Sequence, residues 1–481
     1  MHWEYLVSLD IGTIHDYIFG TNKLREIRGA SILLDKLNRE LPLDEIENSK
    51  YGKKNTDWRC IVAGGGNIKI LFNDKSKAKE YKRYLASIFR ENAPDAKFTV
   101  IISERKGDSE GQWLKRTERE LQIAKSMHEE RKQITASGLL KACQVCGINP
   151  AEDEDPRPEG TIYICKSCCL KVEEAKNYKS TEIYKRLIDG MGFQPEFPTE
   201  FSEIGEKSEP EGYMGFIYAD ANRMGEHLAG KDSFDKLENF SRDVHEKNFE
   251  AIVSVLKSHF TGSFLPIQMI LAGGDDLILT LPAHKAMDIT IEFCESFNYK
   301  LSSHNNLTTS AAVVICHDSL PIRNILSAAE SLLKNAKAES RKNGGGSYID
   351  FTVVTGSALE EPISKRKQEL EYLDIGSYSI TKRPYSLEEM KKLVSAIKEL
   401  KKVDFPNNKL KALYTYLFKG RYQSILDALY LKTRLEDAHK DTMDKLIKEF
   451  NLTKIFPWEE IDTNRYTTPF GDIVELYEFI H

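Results

Sequence analysis

No run of eighteen apolar residues occurs in this chain of 481, so no membrane-spanning helix is expected. The first residues, Met1-His2-Trp3-Glu4-Tyr5, pass straight into strand-like sequence without the basic segment and apolar core of a secretory signal. A cytoplasmic protein is expected. Excess positive charge is missing as well. A net charge of −6 excludes a basic glove for nucleic acid over the whole surface, and leaves any such contact local or shared with partners. There is no P-loop, because Gly344-Gly345-Gly346 lacks the Lys-Ser/Thr that phosphate and magnesium binding would need. Nucleophile elbows built on Ser or Cys are absent. His15, His227 and His245 each stand without a second ligand at useful spacing, and read as surface or core histidines. A disulfide framework is excluded too. Of eight cysteines, four fall into two CxxC pairs, while Cys60, Cys169, Cys294 and Cys316 are scattered, which fits a reducing compartment and one metal site.

What the chain does have is an internal repeat. Residues 4–11 read as a strand, 23–37 as a helix, 61–72 as a hairpin, 76–91 as a helix, 98–103 as a strand and 112–133 as a long helix. The order returns as strand 214–220, helix 233–259, hairpin 266–281, helix 284–302, strand 308–316 and helix 322–342. Landmarks repeat at matching distances. Asp10 to Gly64 is 54 positions and Asp220 to Gly273 is 53; Gly64 to Lys125 is 61 and Gly273 to Lys337 is 64. Two copies of a βαββαβ module follow, each an antiparallel sheet with helices on one face, in an α+β chain.

The copies differ at the hairpin tip. The second carries Gly273-Gly274-Asp275-Asp276 between two apolar runs; the first has Gly64-Gly65-Gly66-Asn67. Glycines at such a tip let a phosphate approach the backbone, and paired aspartates are hard oxygen ligands of the kind magnesium prefers. Alone, GGDD is equally an acidic surface turn. In a βαββ arrangement, however, the end of the first strand lies beside the hairpin tip, which brings Asp220 to Asp275 and Asp276. Three carboxylates so placed repel one another unless cations join them, and two magnesium ions about 3.5–4 Å apart can drive phosphoryl or nucleotidyl transfer. Lys337 has the charge and reach for a triphosphate. Arg341 and Lys342 follow one turn on, although by themselves all three make an ordinary solvated basic helix end. The first copy keeps Asp10 without hairpin carboxylates and is expected to be a degenerate module.

Between the copies stand Cys143-Gln144-Val145-Cys146 and, eighteen residues on, Cys165-Lys166-Ser167-Cys168. Two CxxC pairs at that spacing supply four thiolates for a closed, structural Zn²⁺ site, with the adjacent Cys169 an alternative to Cys168. After Gly356 the periodicity turns helical, about four helices over 386–400, 409–418, 422–436 and 442–450, with a further helix or docking strand at 469–480. The expected domains are a degenerate module at 1–135, a zinc-binding insert and linker at 136–212, the active module at 213–360 and an all-α region at 361–481.

The paired modules, the Ala272-Gly273-Gly274-Asp275-Asp276 tip, the four-cysteine insert and the helical C-terminus together resemble one family. It is the large subunit of type III CRISPR–Cas effector complexes, the Csm/Cmr large-subunit family, with ferredoxin-like palm domains of GGDEF and nucleotide-cyclase type. Residues 24–31, Leu-Arg-Glu-Ile-Arg-Gly-Ala-Ser, and 218–225, Tyr-Ala-Asp-Ala-Asn-Arg-Met-Gly, also look like that family. The resemblance implies a target-RNA-activated enzyme that joins ATP 3′ to 5′ into cyclic oligoadenylates with loss of pyrophosphate. It implies as partners the other effector subunits, with guide RNA and target RNA met through the complex, and no membrane. It maps Asp220 and Asp275 to binding of Mg²⁺ (or Mn²⁺), the Ala221 carbonyl to an extra ligand, and Asp276 to the second metal or the 3′-hydroxyl. Gly273, Gly274 and Lys337 map to the nucleotide phosphates. Two departures stand out: Asn222 occupies a place where an acidic residue is common, and no His-Asp nuclease pattern precedes the first module, so no DNase activity is expected. The alternatives are a silent scaffold in such a complex or a diguanylate-cyclase-like signalling enzyme.

Overall fold

The computed structural model describes residues 3–127, 140–157, 160–304, 306–356, 360–374 and 376–481. Strand β1 (Tyr5–Gly12) leads through a short helix α1 (Ile14–Ile18) into α2 (Leu24–Asp35), a π-helical turn (Lys36–Glu40) and α3 (Leu41–Ile46). Hairpin β2 (Trp58–Gly64) and β3 (Asn67–Phe72), helix α4 (Lys75–Asn92), strand β4 (Lys97–Glu104) and helix α5 (Glu110–Met127) complete the first module. The expected continuation of α5 to residue 133, and the expected boundary at 135, lie outside the described residues. The sheet order β2-β3-β1-β4 is antiparallel throughout.

The insert contributes hairpin β5 (Asp153–Arg157) and β6 (Gly160–Ile164), then helices α6 (Lys166–Lys176), α7 (Glu182–Met191) and α8 (Ser202–Gly205). The second module runs β7 (Tyr213–Ala221), α9 (Met224–Ala229), α10 (Phe234–His259), β8 (Gln268–Gly273), β9 (Asp276–Pro282), α11 (Ala283–Lys300), β10 (Thr309–His317) and α12 (Ile322–Lys342). Strand β11 (Tyr348–Val354) then adds parallel to β10, so this sheet is mixed rather than antiparallel.

Helices cover both faces of each sheet, which corrects the one-face expectation. Successive β-strand side chains point to opposite sides. On β7, Ile217 and Ala219 pack with α10 and α11, whereas Met214, Phe216 and Tyr218 pack with α12. On β1, Val7 and Leu9 pack with α2 and α4, whereas Leu6 packs with Trp113 and Leu114 of α5. In both modules the last helix crosses to the face on which the strand-end aspartate stands.

The C-terminal region holds α13 (Pro362–Leu370), β12 (Glu371–Asp374), β13 (Gly376–Ser379), β14 (Tyr385–Ser386), α14 (Leu387–Lys402), α15 (Asn407–Tyr416), α16 (Arg421–Thr433), α17 (Asp437–Glu449), β15 (Glu459–Asp462), β16 (Arg465–Thr467) and α18 (Phe470–Leu476). The four expected helices are α14 to α17, and α14 opens with a Ser386/Glu389 capping box. The region is not purely helical, because β12-β13-β16-β15 form a small sheet and β14 extends the sheet of the second module to six strands. Buried Arg383 ties α18 to this edge, 2.9 Å from Asp472 and 2.8 Å from Glu475.

The two modules meet reciprocally. Arg28 of α2 donates to Gln268 of β8 at 2.9 Å, and Arg59 of β2 donates to Glu238 of α10 at 3.0 Å. Ser31 of α2 also donates to the Ile270 carbonyl on β8. Each module thus lays its first long helix, α2 or α10, on the partner's outer hairpin strand. One position within α2 depends on glycine for a different reason. A Cβ on Gly29 would lie 1.7 Å from the Lys171 carbonyl oxygen of α6, so the insert packs backbone to backbone against α2. Gly29→Ala should therefore destabilise the protein by about 1–3 kcal/mol despite the helix-propensity gain of about 0.5–1 kcal/mol. Urea denaturation checks this, and equal or greater stability in the variant would contradict the contact.

Candidate metal and nucleotide site on the second module

Hairpin β8–β9 closes with Gly273 opposite Asp276, leaving Gly274-Asp275 as a two-residue loop. Gly274 takes φ +63°, as a glycine-first turn of this length requires. In the first module both loop residues, Gly65 and Gly66, have positive φ, 57° and 78°. A Cβ on Gly66 would also stand 2.6 Å from Ile14 Cδ1. An aspartate cannot simply be placed there; the first tip differs in backbone as well as in side chain. The two tips face each other, since a Cβ on Gly274 would meet Gly65 Cα at 3.5 Å and one on Gly65 would meet Gly274 Cα at 3.6 Å.

The pairing of β7 with β9 runs to Ala219 opposite Leu277, which carries Asp220 to the level of Asp276. The three aspartates come together as the repeat implies. Crowding shows in their protonation: burial first, then Asp276 and Asp220, push Asp275 far above the usual carboxylate range. Burial and Asp220 raise Asp276 to about 7 against the pull of Lys337. Lys337, from α12, donates to Asp220 Oδ2 and lies 3.1 Å from the Ala221 carbonyl oxygen. The same pair recurs in the first module, where Lys125 lies 2.6 Å from Asp10. A Cβ on Gly273 would meet nothing within 4 Å, which leaves open space at the tip. Arg341 and Lys342 are exposed at the end of α12, with Lys342 paired to Glu339.

Asn222 is occupied elsewhere. Its amide donates to Thr308 Oγ1 at 2.9 Å and to the Gly346 carbonyl at 3.0 Å, and accepts from Ser310 at 2.9 Å. It pins the end of β7 to β10 and to the loop after α12. The residues that hold the turn itself were not apparent from the sequence. Asn248 of α10 donates to the Gly274 and Asp276 carbonyls at 3.1 and 3.3 Å, and His245, one turn earlier, faces the Gly274 N–H at 3.3 Å. Nothing local marks them, because both act across 26 or more positions of sequence.

The carboxylate group fits divalent cations of the magnesium type. Asp220, Asp275, Asp276 and the Ala221 carbonyl are all hard oxygen donors, and a bound cation would favour the ionised form of the two carboxyl groups that burial and their acidic neighbours raise. In the insert, the sulfurs of Cys143, Cys146, Cys165 and Cys168 all lie within 4.8 Å of one another, a group that can hold a metal ion, and Cys169 is outside it. Hydrogen bonds from Cys146, Cys165 and Cys168 hold the Cys143 thiol far below its ordinary range.

A raised carboxyl pKa in the folded state means that folding takes up protons. The metal-free site should therefore lose stability as pH rises from the unfolded value near 4 through about 7. Asp276→Asn should reduce that slope, and Mg²⁺ should restore stability at pH 8 more than at pH 6. Denaturation with and without Mg²⁺ at the two pH values tests it; equal Mg²⁺ stabilisation at both would contradict the coupling.

Comparisons with known proteins follow the same lines. Residues 213–345 match the family model of the Cas10/Cmr2 second palm domain. No curated protein matches the chain. Among solved structures, the Csm1-Csm4 cassette in complex with cA3 is similar over 100% of this chain and 70% of its own, with 14% identity and a TM-score of 0.62. The cassette in complex with one ATP covers 100% and 70% at 16% identity and TM-score 0.60. Csm1 in T. onnurineus covers 99% and 69% at 17% identity and TM-score 0.60. At these identities the likeness is one of fold, and it extends over both modules, the insert and the C-terminal region.

Proposed function

We propose that this chain, a large subunit of the Csm/Cmr family of type III CRISPR complexes by its second palm and its fold, is a nucleotidyltransferase that builds 3′–5′ adenylate messengers from ATP. Cyclic oligoadenylates are the expected products, and target RNA bound to the guide complex is the expected activator. The observation that carries the reading is the convergence of Asp220, Asp275 and Asp276 at a tip that faces a carboxylate-free tip of the other palm. Similar folds crystallised with ATP and with cA3 support the substrate class.

In the reaction a 3′-hydroxyl oxygen attacks the α-phosphorus of a neighbouring ATP. The new P–O bond forms as the bond to the β-phosphate's bridging oxygen breaks, and pyrophosphate leaves. Divalent cations held by the three aspartates would supply Lewis-acid stabilisation of the attacking and leaving oxygens. Asp220 and Asp275 serve as their principal ligands with the Ala221 carbonyl, and Asp276 completes the second position or orients the 3′-hydroxyl. Lys337, which meets the Asp220 carboxylate and the Ala221 carbonyl, would bind the triphosphate of a nucleotide at the tip. Gly273 and Gly274 leave room for phosphate at the tip. Asp10 is neutralised by Lys125 without hairpin carboxylates to help it, so the first palm is assigned no chemistry.

Labelled ATP with Mg²⁺, incubated with the chain alone and within its guide complex plus target RNA, tests the assignment by mass spectrometry. Asp275→Ala/Asp276→Ala should lower product formation at least about 100-fold, the scale of losing several kcal/mol of charge stabilisation. Absence of any Mg²⁺-dependent product favours a silent scaffold, and an unchanged rate in the double variant overturns the site. For the insert, we assign a structural Zn²⁺ to Cys143, Cys146, Cys165 and Cys168. About one zinc per chain should be found by elemental analysis, and Cys146→Ser should lose it while Cys169→Ser keeps it.

A further inference from the structure

His245 sits between the palms with a donor at each ring nitrogen. On one side the Gly274 N–H of the Gly274-Asp275 turn faces Nδ1 at 3.3 Å. On the other, Arg39 of the first palm faces Nε2 at 2.6 Å, and Arg186 of the insert faces it at 3.4 Å. Burial first, then the two guanidiniums, hold the imidazole neutral by lowering its pKa to about 3. A neutral imidazole has one N–H and one lone pair, so it can accept from only one side. With the lone pair on Nε2 it accepts from Arg39, and its Nδ1–H then opposes the Gly274 N–H. With the lone pair on Nδ1 it accepts from Gly274, and its Nε2–H opposes Arg39. The two bonds exclude each other, and the shorter one here belongs to Arg39.

We infer that His245 is a positioning residue for the Gly274-Asp275 turn, and that the first palm, through Arg39, competes with the Gly274 N–H for its imidazole. The carbonyl side of the turn is held by Asn248 in either case. The N–H side is conditional. Arg39 lies on the π-helical turn that follows α2, and α2 is docked on β8 by Arg28 and Ser31. Arg186 is carried by α7 of the insert, where it also stacks 4.4 Å over Phe249 of α10. A displacement of first palm or insert that draws the guanidiniums from Nε2 hands the lone pair to Gly274 and tightens the turn that carries Asp275. The proton moves only between the two ring nitrogens through solvent, so no net charge changes.

The inference rests on the proposed nucleotidyltransferase for its kinetic readout, and a second readout is independent of activity. His245→Asn puts an acceptor near the Nδ1 position but falls short of Arg39; His245→Gln reaches toward Arg39 and leaves Gly274 unmet. In the RNA-activated complex His245→Gln should lower kcat about tenfold with the KM for ATP within about twofold, and His245→Asn should restore kcat. Mn²⁺ binding to the full chain without nucleotide should stay within about twofold of wild type in His245→Gln, which leaves Gly274 unmet as the Arg39-bound imidazole does, and tighten at least about threefold in His245→Asn. Arg39→Gln should tighten Mn²⁺ and raise the RNA-free rate several-fold in the wild-type background, with no effect beside His245→Gln. Equal behaviour of the Asn and Gln variants in both readouts, or the same Arg39→Gln effect in both backgrounds, overturns the inference. If wild-type chain makes no nucleotide product, the proposed function fails while the Mn²⁺ comparison still decides this one. Thermal unfolding within a few degrees of wild type confirms that each variant is folded, and Arg39→Gln in the wild-type background supplies the reading if His245→Gln does not fold.

Discussion

Two hairpin tips stand glycine to glycine, Gly65 against Gly274, and the rest of the molecule is arranged so that they can. Both residues have positive φ, the backbone conformation that glycine takes without strain. Around this point the palms exchange their first long helices: α2 lies on β8 and α10 lies on β2, with Arg28–Gln268 and Arg59–Glu238 as matching polar bonds. Reciprocity of this kind places one palm's tip opposite the other's without a dedicated linker. The geometry is that of a two-fold dimer compressed into one chain, and one chain can let its halves diverge.

Divergence at the tips has a physical consequence. Asp10 and Asp220 end equivalent strands, and each is met by a lysine from the last helix of its own palm, Lys125 and Lys337. In the first palm that pair closes the electrostatic account, because Gly66 and Asn67 add no charge. In the second palm one ammonium faces three carboxylates, and burial together with that crowding drives Asp275 and Asp276 up in pKa. An unneutralised acidic tip is a cost in a folded protein unless cations or a substrate's metal complex complete it. The same frame therefore gives one palm that is self-sufficient and one that is incomplete by itself.

The repeat was legible in the sequence because a βαββαβ unit fixes the distance between strand end, hairpin tip and last helix. Those distances bring Asp220, Asp275 and Asp276 to one end of the sheet with Lys337 on the helix packed against it, whereas the pairing of Asp10 with Lys125 is seen only in the structure. The cysteine group was legible for a similar reason, since CxxC spacing is local; that Cys168 rather than Cys169 turns inward depends on how α6 is set, which spacing does not encode. Residues 24–31 had a recognisable pattern without a visible purpose. Their roles are long-range: Arg25 and Glu26 pair with Asp155 and Arg157 of the insert, Arg28 and Ser31 bind β8, and Gly29 admits α6. The small C-terminal sheet was missed because its strands are three or four residues long, too short to show alternation, and its two hairpins are joined by β13 and β16 across tens of positions. His245 looked isolated because its partners come from three separate segments.

That last residue also gives the first palm a contact beyond packing. A degenerate module serving only as packing would need apolar contacts and little else. Instead its π-helical turn extends a guanidinium to the histidine behind the Gly274-Asp275 turn, and the insert extends another to the same nitrogen. Both contacts compete with the turn's own N–H for one lone pair, so the state of the interface is felt at the tip as a hydrogen bond made or withheld. The donors are rigidly carried, Arg39 by a helix docked on β8 and Arg186 by a helix packed on α10. Small rigid-body shifts can then alter a contact whose two lengths, 2.6 and 3.3 Å, already lie on either side of an ordinary N–H bond. The first palm, without carboxylates at its own hairpin tip, is placed to act on those of the second.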